Sequence, residues 1–412
     1  MKRALLLMTT ATYRARAFFE AAGRVGVRAA VGTDRPDVLG GLNPGGSIAL
    51  DFHRPEAEVS KILRFAQAYP LDAIVPIDDD TVILGALAAE RLGLPFHPPA
   101  GARATRSKYE LRKVLSEEGL PTPAFRLLAA EEDPARLAKG VNYPCVLKPT
   151  FLAASRGVIR ANDEEEFARA FRRIAAILAE PGTAERGGAE AAMILAEDFI
   201  PGREVALEGL MIGGALHTLA LFDKPDPMEG PFFEETVYVT PSRLPAEVQA
   251  KVLRQAERAC RALGLSEGPL HAEFRVNEGG VWPLDVASRS IGGKCSGALR
   301  FGEGATLEQL ILCQALGLEP PSLEREGRAS GVMMIPIPGA GVLRGVEGEE
   351  EACAVPGIES VEIAIHRGGR VVPPPEGERY LGFIFARGDA PGEVEASLRR
   401  AHAKLRFRIE PD

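Results

Sequence analysis

No stretch of the 412 residues is apolar for the roughly 20 positions that a helix needs to cross a bilayer; the longest apolar runs are Ala4 to Met8 and Thr81 to Ala89. Met1-Lys2-Arg3 leads into a strand-like segment without a cleavage site, so the chain is expected to work in the cytoplasm with no membrane partner. Cysteine is scarce: Cys145, Cys260, Cys295, Cys313 and Cys353 are odd in number, scattered and without C-x-x-C spacing, which speaks against a disulfide framework or structural zinc. No long basic run interrupts a net charge of −8, and a nucleic-acid partner would require clustered Lys and Arg. Glycine is missing from the turn after the first strand, Met8-Thr9-Thr10-Ala11-Thr12-Tyr13, where a dinucleotide-binding fold carries G-x-G-x-x-G. No G-x-x-x-x-G-K-[ST] loop occurs either, so a nicotinamide site and a P-loop are both disfavoured.

What is present is an ordinary globular composition, 46% hydrophobic and 26% charged, on a chain long enough for two or three cores. The first hundred residues alternate strand-like and amphipathic runs: Arg3–Met8, Ala15–Val25, Arg28–Val31, Pro55–Ala68, Ala73–Pro76 and Thr81–Leu92. That alternation predicts a parallel α/β sheet over 1–100. A proline-glycine connection near Pro98 leads to a charged helix over Ser107–Glu118 and then Pro121-Thr122-Pro123. Residues 101–325 form the second region, α+β in pattern, with helices expected over Glu164–Leu178, Ala246–Leu263 and Thr306–Leu316. Residues 326–412 alternate again and predict a small third domain ending in a helix over Pro391–Leu405.

The most informative segment runs from His271-Ala272-Glu273-Phe274 through Asn277-Glu278-Gly279-Gly280 to Pro283-Leu284-Asp285, and predicts a β-hairpin. A two-residue Gly-Gly turn would set Glu273 against Val286; an odd loop, Glu278-Gly279-Gly280, sets Glu273 opposite Asp285. Two carboxylates roughly 5 Å apart call for a hard cation such as Mg²⁺ between them, the alternative being acids that face water. Arg289-Ser290-Ile291-Gly292-Gly293 follows at once, a fixed cation with glycine amides able to approach an anion, or an ordinary turn. Lys148 ends an apolar strand, where an ammonium needs an anionic partner, while Lys108 is equally a solvated helix residue. Phe151 to Val158 offers small residues and Ser155-Arg156-Gly157, suited to phosphates or to a plain strand connection. Glu197, before Phe199, suits an adenine edge and Glu204 ribose hydroxyls, or each is simply exposed. Phe222 to Thr236 has the composition of a substrate lid or of a surface excursion. Asp78-Asp79-Asp80 is expected to cap the helix beginning at Thr81; His217 and His366 are assigned to strands.

The order Lys108, Lys148, Ser155-Arg156-Gly157, Glu197 to Glu204, Glu273, Asp285, Arg289 resembles the ATP-grasp superfamily, and its amino-acid (carboxylate-amine) ligase branch most strongly. Asp223-Lys224-Pro225 and Tyr380-Leu381-Gly382-Phe383-Ile384-Phe385 look like phrases of that branch. The resemblance implies a Rossmann-like pre-ATP-grasp domain over 1–100, a two-lobed α+β ATP-grasp body over 101–325 with a lid subdomain at about 124–205, and a small α+β C-terminal domain over 326–412. It implies ATP on Lys108, Lys148, Ser155, Arg156, Gly157, Glu197, Phe199 and Glu204, and Mg²⁺, with Mn²⁺ as substitute, on Glu273 and Asp285. Arg289, helped by the Gly292 and Gly293 amides, would stabilise an acyl phosphate; Lys224, Glu235 and His271 are substrate candidates. The partners implied are ATP and small carboxylate and amine substrates, with a homodimer left open. Asp285-Val286-Ala287 departs from the family's Glu-x-Asn, and the phosphate loop is poor in glycine. The alternatives are an ATP-grasp carboxylase or purine-type ligase, and a regulatory nucleotide-binding protein.

Overall fold

The computed structural model describes residues 1–35 and 46–411. The N-terminal sheet is parallel, with strands ordered Ser47–Ala49, Arg28–Thr33, Arg3–Met8, Ala73–Pro76. Its central strand is apolar throughout because both faces are covered: Leu5 and Leu7 pack with Val59, Ile62 and Leu84, while Ala4, Leu6 and Met8 pack with Phe18, Leu310 and Ile311. The chain leaves Arg3–Met8 toward opposite sides to reach its two neighbours. A crevice therefore opens at the carboxyl ends of Arg3–Met8 and Ala73–Pro76, where the turns bearing Thr9 and Asp78 lie side by side.

The proline-glycine passage after Pro98 is not the open connection expected. Pro99–Arg106 is a helix, its proline in the first turn where the missing N–H is no loss, and Gly101 is there for proximity: a Cβ would meet the Leu263 carbonyl at 2.4 Å. Lys108–Glu117 continues as a second helix. Residues Phe125 to Asp198 then build a separate four-stranded sheet, ordered Phe125–Ala129, Met193–Asp198, Cys145–Pro149, Ile159–Ala161. The helix Glu164–Leu178 lays Phe167, Phe171, Ile174 and Leu178 on it, with Asp163 capping its start through the Glu166 amide.

The largest sheet has eight strands, in the order Gly280–Ala287, Gly268–Asn277, Arg203–Ile212, Ala215–Lys224, Val237–Thr240, Ala329–Ile335, Gly382–Gly388, Ile358–Ile363. Val237–Thr240 pairs antiparallel with Ala329–Ile335, so strands of the C-terminal region extend the central sheet across position 326. The helix Pro391–His402 and a three-stranded sheet of Arg370–Val371, Gly341–Glu347 and Arg406–Glu410 complete that region. His217 lies within a strand as expected; His366 does not, being exposed in the turn between Ile358–Ile363 and Arg370–Val371. Among the described residues no helix is long and apolar enough to cross a membrane.

His97 ties the N-terminal region to the central sheet. Its ring is buried and Nε2–H donates to the Pro269 carbonyl at 2.9 Å. Burial, only partly offset by that carbonyl, pulls the imidazole down to about 4. An unfolded chain takes up this proton near 6.5 and the folded one only near 4, so stability present above 6.5 is lost as pH falls through about 4, to an extent of about 3 kcal/mol. Urea unfolding at pH 7, 5 and 4 is expected to show His97→Gln losing less stability over this range than the parent, by about that amount.

Candidate active site

One cleft of about 720 Å³ is bounded by the N-terminal turns, the four-stranded sheet and the eight-stranded sheet. The hairpin on its wall turns through two residues, Glu278-Gly279, with Asn277 opposite Gly280. Counted straight back, that register would set Glu273 against Leu284. A bulge intervenes: Phe274 pairs with Pro283 but Glu273 pairs with Asp285, leaving Leu284 as the extra residue. The expected acid pair is thus formed, through a bulge and not through a three-residue loop. Pro283, which has no N–H to give a ladder, is tolerated because Gly280–Ala287 is an edge strand and the bulge begins there.

Arg112, absent from the sequence-based candidates, holds this bulge. It is fully buried, donates to the carbonyls of Pro283 (3.3 Å) and Leu284 (2.8 Å), and grips Glu197 with Nε (2.9 Å) and Nη2 (3.3 Å). Lys148 is the second partner of Glu197. Burial would raise the Glu197 carboxyl, but Arg112 and Lys148 together hold it down at about 2. The Glu197 carboxylate is held by these two buried cations, and the residue lines the cleft. The signal in the sequence was a charged residue between Leu111 and Leu115 on the helix's apolar face, one turn after Lys108. Lys108 donates to the Leu152 carbonyl at 2.7 Å and lies 3.9 Å from Asp285.

The loop after Lys148 owes its shape to Ala154 and Ser155, both left-handed at φ 52° and 55°, a conformation that non-glycine residues seldom adopt. Ala153, Ala154 and Ser155 line the cleft; Arg156 and Gly157 do not. Arg156 turns to the segment Pro373–Tyr380, donating to the Glu376 carbonyl at 2.8 Å and lying 3.6 Å from Glu378, and it also pairs with Glu180. The Gly157 amide donates to the Pro375 carbonyl at 2.8 Å. Arg173 grips Glu376 with two bonds and Arg186 lies 3.4 Å from Glu378. Arg156 and Gly157, expected at phosphates, are thus joined to a strap, Pro373–Tyr380, whose Glu378, Arg379 and Tyr380 reach the cleft.

Deeper in, Lys224 donates to Glu204 (2.5 Å), Glu235 (2.7 Å) and Glu273 (3.0 Å), which commits all three of its N–H donors. It is buried and, unlike the other two substrate candidates Glu235 and His271, is not among the residues lining the cleft. Glu204, Glu235 and Glu273 gather oxygens within 4.8 Å of one another, and Lys224 is the cation among them. Glu204 also accepts from Arg275 at 2.8 Å, and it lines the cleft with Phe199, Glu235 and His271. Burial raises the Glu235 carboxyl more than Lys224 lowers it. For Glu273 the balance is opposite: burial is overcome by Lys224 and His271, which hold it well below the usual carboxylate range. His271, buried but paired with Glu208 at 3.1 Å and lying 3.6 Å from Glu273, is pushed up to about 9.

At the N-terminal side, none of the three aspartates caps the following helix. Asp78 instead accepts from the Thr9 amide (2.8 Å) and the Thr12 hydroxyl (2.7 Å), joining the two turns. Asp79 accepts from Arg289 at 2.8 Å, and Asp80 accepts from Arg106 and Arg186, both at 2.9 Å. Gly292 and Gly293 line the cleft, and their amides have no protein acceptor among the described residues.

Three family descriptions match: ATP-grasp N-terminal domain over 19–96, ATP-grasp domain over 141–298, and L-amino acid ligase C-terminal domain 2 over 333–410. The chain is similar to alanine–anticapsin ligase of Bacillus subtilis (strain 168), 29% identical over 278 residues that cover 64% of this chain and 58% of the relative. It is also similar to carnosine synthase 1 of Gallus gallus, 31% identical, covering 72% of this chain and 33% of the relative. The chain therefore spans little more than half of the first of these curated relatives and a third of the other. Among solved structures, L-amino acid ligase from Bacillus licheniformis superposes with a TM-score of 0.80 at 27% identity, covering 100% of this chain and 99% of that one.

Replacing Arg112 by Met leaves buried Glu197 with Lys148 alone and the bulge carbonyls without their donor. Denaturant unfolding is expected to show a loss of about 3–5 kcal/mol, and an unchanged midpoint would mean that Arg112 does not hold the hairpin.

Proposed function

We propose that this chain, which belongs to the ATP-grasp superfamily and carries an L-amino acid ligase C-terminal domain, uses ATP to join a carboxylate to an amine through an acyl phosphate, with an amino acid as one substrate. The observation that carries this reading is convergence on one cleft: paired Glu273 and Asp285, the cations Lys108, Lys148 and Arg289, and the amides of Gly292 and Gly293. On the same reading residues 1–100 are the pre-ATP-grasp domain, 101–325 the ATP-grasp body and 326–412 the C-terminal domain, working in the cytoplasm.

In the first step a substrate carboxylate oxygen attacks the γ-phosphorus of ATP, the bond from that phosphorus to the bridging oxygen breaks, and ADP leaves. Lys108 and Lys148 bind phosphate oxygens, and Arg289 with the glycine amides offsets the charge that builds on the transferring group. In the second step the amine nitrogen attacks the acyl carbon, the acyl–oxygen bond to phosphate breaks, and the amine releases a proton. Positioning and electrostatics carry both steps without a protein nucleophile. Glu273 and Asp285, side by side and offering only oxygen, fit a hard divalent cation. Mg²⁺, or Mn²⁺ in its place, would be held there and would neutralise phosphate charge. Ala287 adds no side-chain ligand to that pair.

Phosphate release with Mg-ATP, measured against single and paired amino acids, is expected to require a pair and to yield a new dipeptide mass. A silent matrix with every pair would remove amino-acid ligation as the activity. Arg289→Met is expected to lower kcat by about 10²–10³ while leaving ATP affinity nearly unchanged, and equal turnover would sink the role given to Arg289.

A further inference from the structure

We propose that Asp79 is the positioning residue for Arg289, an inference that rests on the ligase reading just given. Arg289 sits on the loop after an edge strand, and a long flexible side chain there has several rotamers to choose among. Two contacts fix it. One guanidinium nitrogen donates to the carbonyl of its neighbour Ser290 (2.9 Å) and the other to Asp79 (2.8 Å), which comes from the turn after Ala73–Pro76 in the N-terminal sheet. The same loop is pinned from that side again by Arg14, which is buried and bonds both the carbonyl and the hydroxyl of Ser290. Three of the five Arg289 N–H donors have no protein acceptor among the described residues, so the grip on Asp79 orients the fork without consuming it.

A carboxylate beside a site for anionic groups works against binding them, so its presence needs a reason. Asp79 cannot be explained as a helix cap, since its side chain caps nothing. Its charge is outnumbered locally: Arg106 lies 3.8 Å away, and Lys108 also bears on it. Asp80, the next residue, accepts from Arg106 and from Arg186 on the short helix Pro181–Gly187 of the four-stranded-sheet region. Two carboxylates, Asp79 and Asp80, thus face four cations, Arg106, Lys108, Arg186 and Arg289, and the one engaged with Arg289 is Asp79. Without it, an arginine with only 14% of its side chain exposed would keep its charge but lose its ionic partner.

The test is a double-mutant cycle on the full chain: parent, Asp79→Ala, Arg289→Met and the double variant, each measured for kcat, KM of ATP and of both substrates, and thermal midpoint. Asp79→Ala is expected to lower kcat by about 10–100-fold, the range seen when an orienting partner is removed, with KM for ATP little changed. In the Arg289→Met background the same substitution is expected to add less than about twofold, because the group through which it acts is gone. An Asp79→Ala effect of equal size in both backgrounds overturns the proposal, as does a raised KM for the amine at constant kcat, which would make Asp79 a substrate contact. Should Asp79→Ala not fold, Asp79→Asn replaces it in the cycle with the same expected non-additivity and a smaller loss. Full turnover by Arg289→Met would instead sink the ligase role of Arg289, whereas an impaired Arg289→Met beside a fully active Asp79→Ala sinks only the present inference. A crystal structure of Asp79→Ala gives a readout independent of turnover: Arg289 should leave its present position, and an unmoved guanidinium overturns the proposal.

Discussion

The one-residue bulge at Leu284 is the constraint on which the cleft depends, because side chains on a strand alternate and a slip of one position exchanges its faces. With the bulge, Asp285 stands opposite Glu273 and the residues beyond it enter the loop that carries Arg289. A bulge leaves backbone groups outside the ladder, and buried carbonyls need donors. Arg112 supplies them, and because the same guanidinium also grips Glu197, the hairpin, the strand Met193–Asp198 and the helix Lys108–Glu117 are locked by one side chain.

Besides its exposed ion pairs, this molecule buries charge in groups of opposite sign. Lys224 with three glutamates, Glu197 with Arg112 and Lys148, and Glu208 with His271 each enclose ions that would be untenable alone. The groups abut, so that Glu273 belongs both to the Lys224 cluster and to the hairpin pair. Lys224 therefore contributes by setting the charge state of Glu273, a carboxylate held ionised although it is buried.

Local rules made much of the fold legible. The apolar strand Arg3–Met8, the helix Glu164–Leu178 and the turn at Gly213-Gly214 follow from periodicity and turn residues that lie within a few positions of one another. The mixed α/β architecture of the ATP-grasp type was readable from those elements together with the order of the charged motifs. What was not readable depends on partners far apart in sequence. Asp79 looks like a cap until Arg289 arrives beside it, Lys224 gives no sign in the sequence of the three glutamates that enclose it, and Arg112 looks like one more surface arginine until the Leu284 carbonyl reaches it. The bulge also escaped, because a turn of three residues and a turn of two plus a bulge produce the same cross-strand pair.

The strap Pro373–Tyr380 has a consequence for the order in which the molecule is made. Its contacts with Arg156, Arg173, Arg186 and the Gly157 amide all lead back to a region that leaves the ribosome much earlier. The four-stranded sheet has its own core and can form as a unit during synthesis. Its loop at Ala154 and Ser155, left-handed in two successive non-glycine residues, gains its outer support only once the C-terminal region has been added. A nascent chain would therefore carry the four-stranded sheet before it carries the clasp, and the cleft reaches its finished shape only late in translation.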